Sequence, residues 1–244
     1  MKSTQLALPE LPTWGGRRRG AGRRLVARRR SPEHRRRPLH DTRHPVHVTL
    51  RARREVRSLR SEVAFAALLG ALSRASKSWF RVVHFSVQVD HVHLIVEADG
   101  DLPLIRGVQG LAVRCAKRLN RELGRRGAVW DHRYHAHRLK TPREVRTGLE
   151  YVLLNFRKHL NASAGIDPRS SGRWFDGWSR PTTSPGPSPV ASGRTWLITV
   201  GWRRAGGPLD ATALPGGPRS PPAARSRRGS WPDRDAGGRT STIT

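Results

Sequence analysis

Apolar and polar residues alternate from Val46 to Arg51, with Val46, Val48 and Leu50 on one side and His47, Thr49 and Arg51 on the other. A period of two is that of a strand with one buried face. Between Glu62 and Lys77 the apolar positions Val63, Ala66, Ala67, Leu68 and Leu69 take helical spacing. Alternation returns from Phe80 to Gln88: Val83, Phe85, Val87 and Val89 share one face, and Val82, His84, Ser86 and Gln88 the other. A short turn near Asp90 leads into a further strand. Its Val92, Leu94 and Val96 point to a core, while His91, His93, Ile95 and Glu97 point the opposite way. Pro103, at a favoured early position, opens a helix that carries Leu104, Val108, Leu111, Ala112, Cys115 and Leu119, and Gly124 and Gly127 end it. Tyr134 to Leu139 reads as another strand. Thr141, Pro142 and Glu144 then supply an N-cap, a first-turn proline and a capping glutamate for a helix striped by Val145, Leu149, Val152, Phe156 and Leu160.

The predicted order is strand, helix, strand, strand, helix, strand, helix. That is a split βαβ pattern, an α+β, ferredoxin-like (RRM-like) antiparallel sheet with two helices on one face and an additional C-terminal helix bearing Tyr151. The other face is expected to stay open and to display His91 and His93. This domain occupies residues 45–160. Residues 1–44 hold 13 basic residues against three acidic ones and almost no apolar periodicity, which predicts a disordered basic arm. Residues 161–244 are rich in Pro, Gly, Ser and Arg and read as a mostly disordered tail. Two islands in it, Trp174–Trp178 and Trp196–Trp202, are candidate docking segments, the second a possible short strand.

Charge narrows the partners. Lys and Arg total 47 against 18 Asp and Glu, a formal charge of +29, and the usual partner of such a chain is a polyanion. Arginine far outnumbers lysine, which suits bidentate contact with phosphate, although a GC-rich genome also enriches arginine. The one cysteine, Cys115, excludes a disulfide framework and a cysteine-rich zinc site. The sequence has neither an apolar run of membrane-spanning length nor a secretory h-region, so a cytoplasmic location is the expectation.

The candidate chemistry begins with His91-Val92-His93. Two imidazoles on one face of a strand can hold a divalent metal. Tyr151 and Asn155 stand one helical turn apart near the border of the last helix's apolar stripe, so both can look across at the sheet. Tyr134, the only other tyrosine, is the rival for any role of Tyr151. It lies in a predicted strand with no polar residue one turn on. His132, His135 and His137 form a second histidine group, read as surface or DNA-contacting.

His91-Val92-His93 followed by Tyr151-Val-Leu-Leu-Asn155 resembles the HUH single-tyrosine transposases, which include insertion-sequence transposases and REP-associated tyrosine transposases. Asp90–Glu97, Trp130–Tyr134 and 151–159 carry the resemblance. It implies that His91, His93 and Asn155 hold Mg²⁺ or Mn²⁺ and that Tyr151 attacks a DNA phosphate to form a 5′-phosphotyrosine. The implied substrate is single-stranded DNA with hairpins or palindromes, in a bacterial cytoplasm, acted on by a monomer or homodimer. Arg114, Arg118, Arg121, Arg125, Arg126 and Lys158 are the expected DNA-binding residues. The main alternative is a domesticated nucleic-acid-binding protein of this fold that has lost catalysis. An RNA-binding RRM lacks support because no aromatic-rich RNP motif is present.

Overall fold

Val46, Val48 and Leu50, the apolar half of the first alternating segment, are each at most 3% exposed on β1 (Val46–Arg51). β1 pairs antiparallel with β3 (His91–Ala98) on one side and with β4 (His135–Arg138) on the other, and β3 pairs antiparallel with β2 (Phe80–Val87). The four strands form one sheet in the order β2-β3-β1-β4. The computed structural model describes residues 39–154, 156, 165–182 and 186–212. Among them, no helix is long and apolar enough to cross a membrane.

One face of the sheet packs against two helices. The first, α1 (Glu62–Leu72), starts where the Ser61 side chain accepts a hydrogen bond from the Ala64 amide, and it stops five residues short of the predicted end at Lys77. The second, α2 (Asp101–Glu122), follows Gly100, whose φ of 128° belongs to the region that favours glycine. The α2 residues Leu104, Val108, Leu111, Cys115 and Leu119 join α1 and the strand residues Phe80, Val82, Phe85, Val92, Leu94 and Val96 in one buried cluster. Gly107 brings α2 down onto the sheet, since a Cβ there would stand 2.2 Å from the Phe80 ring.

Strict alternation fails at one place on β2. The register shifts between Val82 and His84, so that Val82 opposes Val96 and His84 opposes Ile95. This β-bulge puts Val82 with Phe85 and Val87 in the helix-side core and sends Val83 to the opposite face beside Ile95. The expected sharing of a face by Val83, Phe85 and Val87 is corrected accordingly, while Val89 lies past the strand and is 47% exposed.

The second face is not left open. Across it runs α3 (Pro142–Leu154), whose start is capped as the sequence suggests: the Glu144 amide donates to Thr141 Oγ1 at 3.2 Å. Val145, Leu149, Val152 and Leu153 of α3 join Val83 and Ile95 in a second buried cluster, completed by Phe175, Trp178, Leu197, Ile198 and Trp202 from the tail. Phe156 is helical and buried, and Leu160 lies outside the described residues. The tail is thus part of the domain over 165–182 and 186–212. The 196–202 island is helical rather than a strand.

Three polar joints fasten the tail to β2, β3 and the loop before α1. Asp167, fully buried, accepts two hydrogen bonds of 2.8 Å from the Arg60 guanidinium. The Ser171 hydroxyl accepts from the Phe85 amide at 3.0 Å and lies 3.2 Å from His84 Nδ1. Glu97, buried and paired with Arg81 at 3.1 Å, also accepts from the backbone amides of Arg194 and Thr195, each at 2.8 Å. In addition, the Val87 amide donates to Arg169 O and the Ala191 amide to Val82 O. The edge strand β2 therefore has tail segments on its otherwise unpaired side, which removes an aggregation-prone edge. At the other boundary, residues 39–44, grouped by composition with the basic arm, also belong to the domain. There the His40 amide donates to Asp101 Oδ1 at 2.7 Å.

Candidate active site

The tail packs on the β2 side of the second face, and a cavity lined by residues of β1, β4 and α3 opens on the other side. His91 and His93 project there from β3 with ring centroids 4.5 Å apart. His93 is 3% exposed, at the bottom of the site, and His91 is nearer the surface. Each is held by its Nδ1. The Asp90 carboxylate accepts from His91 Nδ1 at 2.6 Å, and this bond holds the Asp90 carboxyl below the usual carboxylate range. His93 Nδ1 lies 3.1 Å from His47 Nε2 and 3.2 Å from Thr49 Oγ1.

These contacts come from the strand register. Thr49 stands opposite His93 across the β1–β3 pair, and His47 opposite Ile95. Burial pushes the His47 imidazole down to about 4, with the charges of His135 and His137 as lesser causes. His47 is therefore neutral at physiological pH, and a neutral imidazole can accept from His93 Nδ1–H. With Nδ1 donating to the Asp90 carboxylate, His91 takes the tautomer whose lone pair is on Nε2, and the Nδ1 contacts of His93 are compatible with the same tautomer, the form in which histidine ligates a metal with its other nitrogen fixed by a second partner. The donor set present fits a divalent cation on that ground. Among the described residues there is no group of three or more His, Cys, Asp or Glu side chains placed to hold a metal. Asn155 and Lys158 lie outside the described residues.

Tyr151 enters from α3. Its ring lies edge-on to His93 at a centroid distance of 5.0 Å and to His47 at 5.6 Å, and the residue is 39% exposed. Tyr134, in contrast, packs against the helix-side core cluster and is kept from the histidine face by the sheet itself. Beside Tyr151 opens a cavity of about 400 Å³ lined by His47, His137, Leu139, Arg143, Glu144, Thr147 and Gly148. His135 and His137 of β4 stand opposite Thr49 and His47, on this same face, and both are exposed.

The arginines expected to bind DNA stand elsewhere. Arg114, Arg118 and Arg121 belong to α2, and Arg125 and Arg126 follow it, in the helix layer on the far side of the sheet. Arg114 donates to Arg74 O, the Arg118 guanidinium lies over Gly70 of α1, Arg121 pairs with Glu122, and Arg125 donates to Asn120 Oδ1. Arg126 is exposed. None of the five lines the cavity beside Tyr151. His47, Thr49 and Asp90 carry no signal strong enough to single them out in the sequence. Their one clue is that His47 and Thr49 fall on the polar side of an alternating segment whose partner strand the sequence does not name.

Comparison with known proteins bears on this arrangement. The family model described as "Transposase IS200 like" matches residues 41–153, the span from just before β1 almost to the end of α3. A solved structure of the REP-associated tyrosine transposase bound to a REP hairpin aligns at 19% identity and a TM-score of 0.45, covering 57% of this chain and 82% of that one. No curated protein matches the chain. The stretch that builds the sheet, the histidine pair and the tyrosine helix is thus the stretch matched by the family model, and over residues 41–153 the chain is similar to the IS200-like transposases.

Proposed function

We propose that this protein is a metal-dependent DNA transposase that cuts and rejoins single-stranded DNA through a 5′-phosphotyrosine at Tyr151, on a ferredoxin-like scaffold. The observation that carries the reading is the approach of Tyr151 to His93, ring to ring at 5.0 Å, from a helix remote in sequence. A lone His-x-His pair on a strand has no assigned task. A phenol delivered to the same spot supplies a nucleophile.

The chain's own residues account for most of the reaction. A phenol is a weak nucleophile in water, so its attack depends on position and on help with charge. The α3 helix fixes the Tyr151 ring against His47 and His93, which holds the hydroxyl within a small volume beside the cavity. A scissile phosphate bound there is attacked by Tyr151 Oη. The new P–Oη bond forms as the bond to the 3′ oxygen breaks, and the phenolic proton is lost as the 3′ oxygen gains one. The 3′-OH can later attack the same phosphotyrosine and restore a phosphodiester, so the bond energy is kept and no nucleotide triphosphate is needed. A divalent cation, Mg²⁺ or Mn²⁺, held by His91, His93 and, as the family resemblance implies, Asn155 would supply Lewis-acid stabilisation of the phosphate oxygens. Asp90, His47 and Thr49 fix the two imidazoles. Arg143 and His137, which line the cavity, are placed to meet the DNA backbone near the cut. The arginines of the α2 layer and Lys158 remain proposed contacts for more distant backbone, hairpins or palindromes remain the proposed targets, and the active species is a monomer or a homodimer.

Incubation of the full chain with hairpin-bearing single strands and Mn²⁺ tests the proposal. A covalent protein–DNA adduct is expected, absent with EDTA and absent in Tyr151→Phe. An adduct that survives in Tyr151→Phe sinks the assignment of the nucleophile. Binding without any adduct across a broad set of oligonucleotides favours a domesticated binding protein.

A further inference from the structure

The groove beside Tyr151 has a neighbour. Tyr151, Thr147 and Arg143 are spaced by four residues along α3 and line one cavity. The eight residue steps from Arg143 to Tyr151 span about 12 Å of helix. Leu139 also lines that cavity, and the next residue, Lys140, lines a second one of about 480 Å³. Around the second cavity stand Arg43, His44, Arg81, Arg194, Thr195 and Trp196.

Its chemistry is that of a site for a nucleotide. The lining contains no acidic side chain. Arg81 is neutralised by Glu97 and Asp99, and Arg43 by Asp41. Among the described residues neither the Lys140 ammonium nor the Arg194 guanidinium has an acidic partner, and both residues are exposed. Trp196 is 49% exposed although its indole is held rigidly: the ring lies on Gly201, where a Cβ would meet it at 2.7 Å, and Arg204 stands 5.4 Å from its centroid. An exposed tryptophan fixed beside two cations is a stacking platform with phosphate contacts next to it. Thr195, also in the lining, has a buried hydroxyl oxygen without a hydrogen-bond partner among the described residues. The backbone that presents Arg194 and Thr195 is itself anchored on Glu97, so the site is built on the sheet and not on a loose loop.

We propose that this cavity binds one unpaired nucleotide of a DNA strand, its base stacked on Trp196 and its phosphate between Lys140 and Arg194, in addition to the cavity beside Tyr151. The site rests on the reading of the protein as a single-strand transposase and adds a second grip on the substrate. The tail thereby becomes part of DNA recognition. An unpaired base is required because a base inside a duplex has no free face to stack.

Fluorescence anisotropy with a labelled single-stranded oligonucleotide tests this, at salt high enough to suppress nonspecific binding by the basic arm. Trp196→Ala is expected to weaken binding roughly 5- to 150-fold, the range for loss of one base–aromatic stack. Trp196→Phe keeps most of the affinity, which separates stacking from misfolding. Lys140→Ala weakens binding and lowers the salt dependence. A duplex of the same sequence is insensitive to Trp196→Ala. If wild-type protein binds single strands and forms the Tyr151 adduct while Trp196→Ala binds as tightly as wild type, this inference is overturned and the proposed function stands. If the wild-type protein does not bind single strands at all, both fall.

Discussion

At the scale of single residues, the proposed reactive residues and the groups that contact them differ in how visible they are. His91, His93 and Tyr151 can be picked from the sequence because each sits in a local pattern: two histidines at strand spacing, and a tyrosine beside an apolar helical stripe. His47 cannot, because it gains meaning only when the β1–β3 register brings its Nε2 to 3.1 Å from His93 Nδ1. Asp90 is similar: it reads as a turn residue, and only the folded turn gives its carboxylate to His91. A carboxylate that fixes a ligating imidazole commonly contributes 10- to 100-fold to metal affinity. Asp90→Asn is therefore expected to weaken Mn²⁺ binding by about that factor, read by calorimetric titration, with little effect on thermal stability because Asp90 is half exposed. Unchanged affinity would remove the second-partner role of Asp90.

At the scale of elements, the alternating and helical periods predicted the seven main elements, but two features escaped them. The β2 bulge is a one-residue irregularity that a period of two cannot encode, and it decides that Val83 rather than Val82 packs under α3. The tail packs through isolated large side chains, Phe175, Trp178, Leu197 and Trp202, separated by Pro and Gly, which have no period to detect. The tail joint also titrates. Burial pushes His84, packed edge-on against Phe175 at 5.3 Å, down to about 4. Its folded value is below the unfolded value, so the unfolded chain takes up more protons as the pH falls. The stability due to a neutral His84 is intact above about 6.5 and is lost on acidification toward 4. From pH 7.5 to 5 this contributes a loss of about 2 kcal/mol, measurable by urea unfolding, and His84→Gln should flatten the dependence. His47 adds a slope of the same sign. At the helix layer, Gly107→Ala is expected to destabilise the domain by about 1–3 kcal/mol, since the added methyl meets the Phe80 ring and outweighs the gain in helix propensity. A thermal melt unchanged by Gly107→Ala would contradict the close approach of α2 to the sheet.

At the scale of the whole molecule, the sheet separates two populations of positive charge among the described residues of a strongly basic chain. Arginines on and just after α2 stand on one side, with Arg114, Arg121 and Arg125 bonded to neighbours in the helix layer. The histidine–tyrosine site, Arg143, Lys140 and Arg194 stand on the other. The large net charge seen in composition points to a polyanion, but it cannot say which side does chemistry. That distinction comes from topology, through the helix that follows β4. The most direct measurement is peptide mapping of the covalent product. After incubation with single-stranded DNA and Mn²⁺, nuclease trimming and proteolysis, mass spectrometry should find the nucleotide-phosphate remnant on the peptide containing Tyr151. A remnant on the Tyr134 peptide, or on any residue other than Tyr151, would contradict the account.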